Sequence, residues 1–257
     1  MIRTLAHLSD LHLGRSLQWD VEVARAIDAA AAVDHVVISG DVTDRGRTDD
    51  YARFERLIAP LAGRVSVVPG NHDRLGDDAG ARLRRGNRVQ VDARPGLHIV
   101  RVDSTGAHNR FLLAGHGDVC ARLIDDIGAA VDDAPCDAVV VVTLHHHVLP
   151  QPEETLPEWL STRIGLPYAT ELRLGVRLLD RLRGRCDLVL HGHRHVPRAT
   201  TLFADDARRL GLYNAGCTPR LGRFRVFAHA HGRLAGTPGW LLAREQRAPL
   251  VAKERVA

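Results

Sequence analysis

An α/β fold organised around a sheet is what the 257-residue sequence predicts. Apolar runs of strand length alternate with segments of helical spacing, and almost every strand-like run ends in a cluster of Asp, Asn and His. Composition sets the scale: 45% hydrophobic and 26% charged residues describe one globular domain with a large core.

The first run, IRTLAHLS, continues into SDLHLG and delivers Asp10 and His12. A helical pattern, VEVARAIDAAAA, follows, and the second run, HVVISG, leads into GDVTDRG with Asp41, Asp44 and Arg45. After the helix DDYARFERLIAPLA, the run RVSVVPG leads into GNHD, giving Asn71, His72 and Asp73. The runs HIVRVDS and DAVVVVTLHH enclose the helix DVCARLIDDIGAAV, and the later one delivers His145, His146 and His147. A helix, ELRLGVRLLDRLRG, then precedes CDLVLHGH, which leads into HGHRH with His191, His193 and His195. Beyond it, TTLFADDARRLGLYNAGCTPRLGRFRVFAHAHGRL breaks into short β-rich pieces without a convincing helix, so a second sheet or a final hairpin is expected. Residues 1–240 form the expected domain, and 241–257 a charged, irregular tail expected to be mobile.

No apolar run approaches the roughly 20 residues that span a bilayer. Met1 leads almost directly into IRTLAHLSD without a basic and apolar leader, so a cytoplasmic protein is expected. Cys120, Cys136, Cys186 and Cys217 form no C-x-x-C pair and are read as buried thiols rather than as a zinc ribbon or disulfide framework. The net charge of +4 arises from 35 Lys and Arg scattered among 31 Asp and Glu, so nucleic acid stays open as a partner without being favoured.

Ligands of open α/β sheets bind outside the carboxyl ends of the strands, so clusters spread from Asp10 to His195 can converge on one place. Each cluster alone is compatible with turn chemistry. Independent turns, however, give no reason for Asp-x-His and His-x-His pairs at successive strand ends. In extended backbone such a pair lies on one side of the chain, so Asp10 with His12, and His193 with His195, can face one centre. Carboxylate, amide and imidazole without thiolate suit Mn²⁺, Fe²⁺, Zn²⁺ or Co²⁺. Seven such groups exceed the needs of one ion and fit two, bridged by a carboxylate at a separation of roughly 3.5–4 Å.

The five motifs, D-x-H, G-D, G-N-H-D, the histidine strand and G-H-x-H in that order, resemble the calcineurin-like metallophosphoesterases. GDVTDRGRTDDYARFERL and VDST are similar to the class III cyclic nucleotide phosphodiesterase branch of that family. The resemblance implies a four-layer α/β/β/α sandwich of two mixed sheets and a cofactor of two divalent ions. It implies one ion held by Asp10, His12 and His195, the other by Asn71, His193 and a histidine of the triplet, with Asp41 bridging both. Aligning Val148 with the proline of the family's H-H-P or H-S-P motif makes His146 that ligand. Valine in place of proline and the additional histidine leave His145 as the rival; by strand alternation His145 and His147 are expected to point away from His146, one toward the core and one toward the substrate rim. His191 is implied to lie behind the ligands. His72 is implied to protonate the leaving alkoxide. GDVTDRG resembles the longer second motif of serine/threonine phosphatases, which implies that Asp44, or alternatively Asp73, orients His72. By the same likeness Arg45 contacts the phosphoryl group, or else forms a plain ion pair.

The implied reaction is in-line hydrolysis of a small phosphodiester such as a cyclic nucleotide by metal-bound hydroxide. The chain is read as offering neither a G-x-S-x-G elbow nor a C-x5-R loop, and a covalent route through Ser or Cys is not expected. Three other readings stay open. A DNA-repair-type nuclease is similar at HLSDLHLGRSL, but the length leaves no room for a DNA-binding cap. A lipid A pathway pyrophosphatase is similar in size but usually carries Arg where His72 stands. A catalytically silent metal-binding scaffold would have no need of His72. Specificity is expected from the loop 151–170, with Trp159 and Tyr168 as a rim.

Overall fold

A computed structural model of the chain describes residues 1–84, 86–111, 114–151, 163 and 171–243. The first of two mixed sheets contains β1 (Arg3–Leu8), β2 (His35–Ile38), β3 (Val65–Val67), β10 (Arg223–Ala230), β11 (Arg233–Leu234) and β12 (Gly239–Leu242). Its order is β11-β10-β1-β2-β3, with β12 also paired to β10; β1, β2 and β3 are parallel and β10 runs antiparallel to β1. The second sheet has the order β4 (Val89–Arg94), β5 (Leu97–Val102), β6 (Val139–Thr143), β7 (Leu188–His191), β9 (Leu210–Asn214), β8 (Arg198–Leu202). Here β5, β6, β7 and β9 are parallel, and the outer strands β4 and β8 are antiparallel to their neighbours.

Side-chain alternation along these strands builds the layers. Ala6, Leu8, Val36 and Ile38 pack against α1 (Leu17–Ala30) and α2 (Thr48–Ile58). Their neighbours Leu5 and Val37 turn the other way and meet Ile99, Val139, Val141, Leu188 and Leu190 of the second sheet. Val100, Val102, Val140 and Val142 cover the outer face of that sheet under α3 (Ala121–Asp132) and α4 (Gly175–Leu182). The chain is therefore helix on sheet on sheet on helix, as the resemblance implies. Four consecutive valines, Val139–Val142, are explained by burial on both faces. Each is worth about 1.5–3 kcal/mol relative to exposure.

Elements differ from the sequence reading where local pattern is weak. Helix α1 starts four residues before the VEVARAIDAAAA segment because Ser16 caps it, accepting from Trp19 N–H at 3.2 Å. Strand β4 has no counterpart in the sequence reading; it is an outer strand with half-exposed residues and lacks an apolar run. The C-terminal β-rich stretch is neither a separate sheet nor one hairpin: β8 and β9 extend the second sheet, and β10 to β12 extend the first. It also holds a short helix, α5 (Thr218–Leu221), started by Pro219 in its first turn. Cys186 and Cys217 are buried, but Cys120 and Cys136 are exposed, correcting the expectation of four buried thiols. Among the described residues no helix is long and apolar enough to cross a membrane. Trp159, Tyr168 and most of the expected rim loop lie outside the described residues, as do residues 244–257 of the expected tail. The tail's first residues, Leu241 and Leu242, belong instead to β12, paired with β10, and Ala243 is buried in the core.

Between the sheets, two buried imidazoles replace apolar packing: His7 Nε2 lies 2.9 Å from Ser39 Oγ, and His35 Nε2 lies 2.9 Å from Ser66 Oγ. Burial pushes His7 down to about 3 and His35 down to about 4. Both stay neutral in the folded chain at acidities where an unfolded histidine, titrating near about 6.5, is protonated. Their stabilising effect is complete above that value and is lost as pH falls from about 6.5 toward about 3, because the unfolded state then binds more protons. Metal-free protein is thus expected to melt at a lower temperature at pH 5 than at pH 7.5. In His7→Gln, which keeps an amide near Ser39 but cannot be protonated, that decline should be shallower; an equal decline would remove His7 from this account.

Candidate metal centre

The parallel strands of both sheets open into loops at one edge, and the loops are stitched together there. Asp10 N–H donates to Gly40 O at 3.1 Å, His12 N–H donates to Asp41 O at 2.9 Å, and Leu13 pairs with Thr43 as a parallel bridge. The second sheet joins through Gly192 N–H donating to His145 O at 3.0 Å and His193 N–H donating to Asp10 Oδ2 at 3.2 Å. Among the described residues, seven non-glycine residues have positive φ, and four of them are Asp10 (53°), His12 (47°), Asp41 (49°) and His193 (69°). Each costs on the order of 1 kcal/mol or more and persists only where surrounding bonds hold it. This corrects the geometric reason for convergence: Asp10 and His12 meet through left-handed turns rather than as an extended pair.

Two glycines make room for this crowding. Gly40 has φ 97°, and a side chain there would run into the His145 ring. At Gly192 a methyl group would overlap Ser9 Oγ and Asp10 Oδ2. Gly192→Ala is expected to destabilise the fold by about 1–3 kcal/mol, as overpacking does. It should show as a lower Tm by calorimetry, together with weaker metal binding because Asp10 is displaced.

The converging atoms form two sets that share Asp41. In the first, His195 Nε2 lies 3.4 Å from Asp10 Oδ1 and 3.3 Å from His12 Nε2, and His12 Nε2 lies 3.8 Å from Asp41 Oδ2. In the second, His145 Nε2 lies 3.4 Å from Asp41 Oδ2 and 3.1 Å from Asn71 Oδ1, and His193 Nδ1 lies 3.0 Å from the same Asn71 oxygen. Asp10, Asp41 and His145 form the floor, buried to 0%, 2% and 0% exposure, whereas His195 and His72 open to the rim.

These donors fit cations. Asp10 Oδ1 is buried without a hydrogen bond. The other nitrogen of His145, Nδ1, donates to Ser39 O at 2.8 Å, so in the neutral ring the lone pair of Nε2 faces two oxygen acceptors. Only a proton or a metal ion satisfies that arrangement. Burial opposes a charge on His145, yet Asp41 beside it pushes it up to about 9. Burial pushes His12 down to about 3, which leaves it neutral and able to ligate. Asp41 is held well below the usual carboxylate range against the effect of burial, by the imidazoles of His145 and His72.

The structure does not place His146 in this set. Its Nδ1 is 2.8 Å from Ser104 Oγ and its Nε2 donates to Gly115 O at 2.9 Å, so both ring nitrogens are occupied away from Asp41 and Asn71. The alignment on Val148 is therefore displaced by one residue relative to the geometry. His147 stacks behind His193, with ring centroids 5.5 Å apart, and His191 is buried on β7.

The expectations for Asp44, Asp73 and Arg45 also change. His72 Nδ1 donates to the backbone carbonyl of Asp44 at 2.7 Å, not to its carboxylate. That carboxylate instead lies 3.6 Å from His12 Nδ1, behind a candidate ligand. Asp73 faces away from His72 and accepts from Val42 N–H, Thr43 N–H, Thr43 Oγ1 and Gly70 N–H, pinning the second loop to the third. Arg45 is 72% exposed and pairs with Asp44 Oδ2 at 3.6 Å. The segment from Cys217 to Arg223 does carry the C-x5-R spacing of thiol-dependent phosphatases. Its thiol is buried, lies 3.3 Å from Asp10 O and is pushed up to about 12 by burial, so it is no nucleophile.

The family profile described as calcineurin-like phosphoesterase matches residues 3–197. A "probable cyclic nucleotide phosphodiesterase" of Rhodococcus erythropolis is 28% identical over 222 residues, covering 77% of this chain and 66% of that protein. The "3′,5′-cyclic adenosine monophosphate phosphodiesterase CpdA" of Pseudomonas aeruginosa is 30% identical over 161 residues, covering 57% and 56%. The match thus spans between half and two thirds of the length of these relatives. Among solved structures, a purple acid phosphatase from yellow lupin superposes with TM-score 0.67 at 11% identity, covering 95% of this chain and 52% of that one. A dimetal phosphatase from Danio rerio superposes with TM-score 0.59 at 13% identity, covering 94% and 99%. With the four layers, the ordered motifs and the profile match in agreement, the chain belongs to the calcineurin-like phosphoesterase family.

Proposed function

We propose that the chain is a dinuclear metal-dependent phosphodiesterase acting on a small phosphodiester such as a cyclic nucleotide. The observation that carries this reading is the pair of donor sets sharing Asp41: Asp10, His12 and His195 on one side, Asn71, His145 and His193 on the other. His145 takes the ligand position in place of His146. Divalent ions bound there would supply charge to neutralise phosphoryl oxygens and acidity to a water nucleophile. The chain's own part is orientation and proton delivery. His72 anchors Nδ1 on the Asp44 carbonyl and is half-buried at the rim, where its other nitrogen can pass a proton to a departing alkoxide. Its N–H backbone group donates to Asp41 Oδ1 at 2.9 Å, tying the acid to the shared carboxylate.

The names of the two relatives favour a cyclic nucleotide over the nuclease and pyrophosphatase readings. The test is hydrolysis of 3′,5′-cyclic AMP, bis-p-nitrophenyl phosphate and p-nitrophenyl phosphate by chelator-stripped protein with Mn²⁺, Fe²⁺ or Zn²⁺ restored. Metal-dependent turnover favouring the diesters is expected. Folded protein that binds metal but turns over none of the three would overturn the reading in favour of a silent scaffold.

A further inference from the structure

Ser104, His145 and His146 are all 0% exposed, and they form a closed hydrogen-bond unit behind the centre. Gly115 O can only accept, so His146 Nε2 carries the hydrogen that meets it. In the neutral ring Nδ1 is then an acceptor, and Ser104 O–H donates to it at 2.8 Å. The lone pairs of the same hydroxyl oxygen face the backbone N–H groups of His145 and His146, each at 3.3 Å. Every hydrogen-bonding capacity of the Ser104 hydroxyl is thereby used, and the two backbone bonds fix where β6 hands over to the ligand loop. The His146 ring also packs against both candidate ligands, with centroids 5.1 Å from His145 and 5.0 Å from His193, whose own rings meet at 5.2 Å.

Resting on the two-ion reading above, we propose that His146 is a positioning residue. Braced between Ser104 and Gly115, it holds the backbone and ring of His145 so that Nε2 points at Asp41 and Asn71. On its far side the His145 ring is anchored through Nδ1 on the Ser39 carbonyl, so the brace and that carbonyl together turn Nε2 toward Asp41 and Asn71. Without the brace the Ser104 hydroxyl and the Gly115 carbonyl lose a buried partner, and a void opens beside both ligand rings. Loss of such a supporting contact typically weakens metal affinity by about 10–100-fold without removing the site.

The test is Mn²⁺ titration of chelator-stripped protein, following ions bound per chain and the affinity of the weaker site, with the Tm of the stripped protein measured alongside. Wild type is expected to bind two ions and His145→Ala one. His146→Ala and Ser104→Ala should still bind two, the weaker about 10–100-fold less tightly. His146→Asn, whose amide oxygen can accept from Ser104 in place of Nδ1, should recover most of that loss. If His146→Ala drops to one ion like His145→Ala, His146 is itself a ligand and the proposal fails. It also fails if Ser104→Ala and His146→Ala keep wild-type affinity while only the Tm falls. Should His146→Ala not fold, Ser104→Ala and His146→Asn decide by the same criteria. Wild-type protein that binds fewer than two ions would instead overturn the two-ion reading itself.

Discussion

Asp41→Asn is expected to lower the turnover of a phosphodiester about a thousandfold or more and to leave the chain unable to hold two ions together. Asp41 Oδ2 lies within 4 Å of both His12 Nε2 and His145 Nε2, so it stands between the two donor sets. An amide in its place loses the negative charge, and one of its two heavy atoms can no longer ligate. A metal's stabilisation of transition-state charge is worth several kcal/mol, and about 4 kcal/mol corresponds to about three decades in rate. The measurement is kcat/KM for bis-p-nitrophenyl phosphate beside the metal content per chain. Retained turnover with two ions bound would show that another group does the bridging.

His72→Ala has a different signature. His72 lies outside both donor sets, since Nδ1 is committed to the Asp44 carbonyl, so metal content should stay at the wild-type value. Loss of a general acid costs about 10²–10⁴-fold where the leaving group needs a proton. Cyclic AMP, which expels an alkoxide, should show that loss. Bis-p-nitrophenyl phosphate expels a stabilised phenolate and should lose much less. An equal loss on both substrates would mean that His72 stabilises charge on the phosphoryl group instead of donating a proton.

Sequence legibility follows the range of the forces involved. The valine run from Val139 to Val142 announces a strand covered on both faces, and burial on two layers is what the structure provides. The polar clusters after β1, β2, β3 and β7 are legible because parallel strands must all present their carboxyl ends at one edge. What the sequence leaves hidden is decided by bonds between distant segments. Whether His145 or His146 faces the centre is set by Ser104, Ser39 and Gly115, which attach to those rings from the connections that follow β5 and β2. Ser104 carries no signal of its own beyond its place in VDST. Likewise Asp44 acts on His72 through a backbone carbonyl, a contact open to any residue type, so the side chain's identity points elsewhere. Left-handed backbone at Asp10, His12 and Asp41 defeats an argument from strand alternation although the convergence it was meant to explain exists.

The most direct test of the central account is the anomalous scattering of crystals grown with Mn²⁺. Two peaks per chain are predicted, one among Asp10, His12 and His195 and one among Asn71, His145 and His193, with Asp41 between them. A single peak, or a second peak against His146 with His145 turned away, would contradict the account.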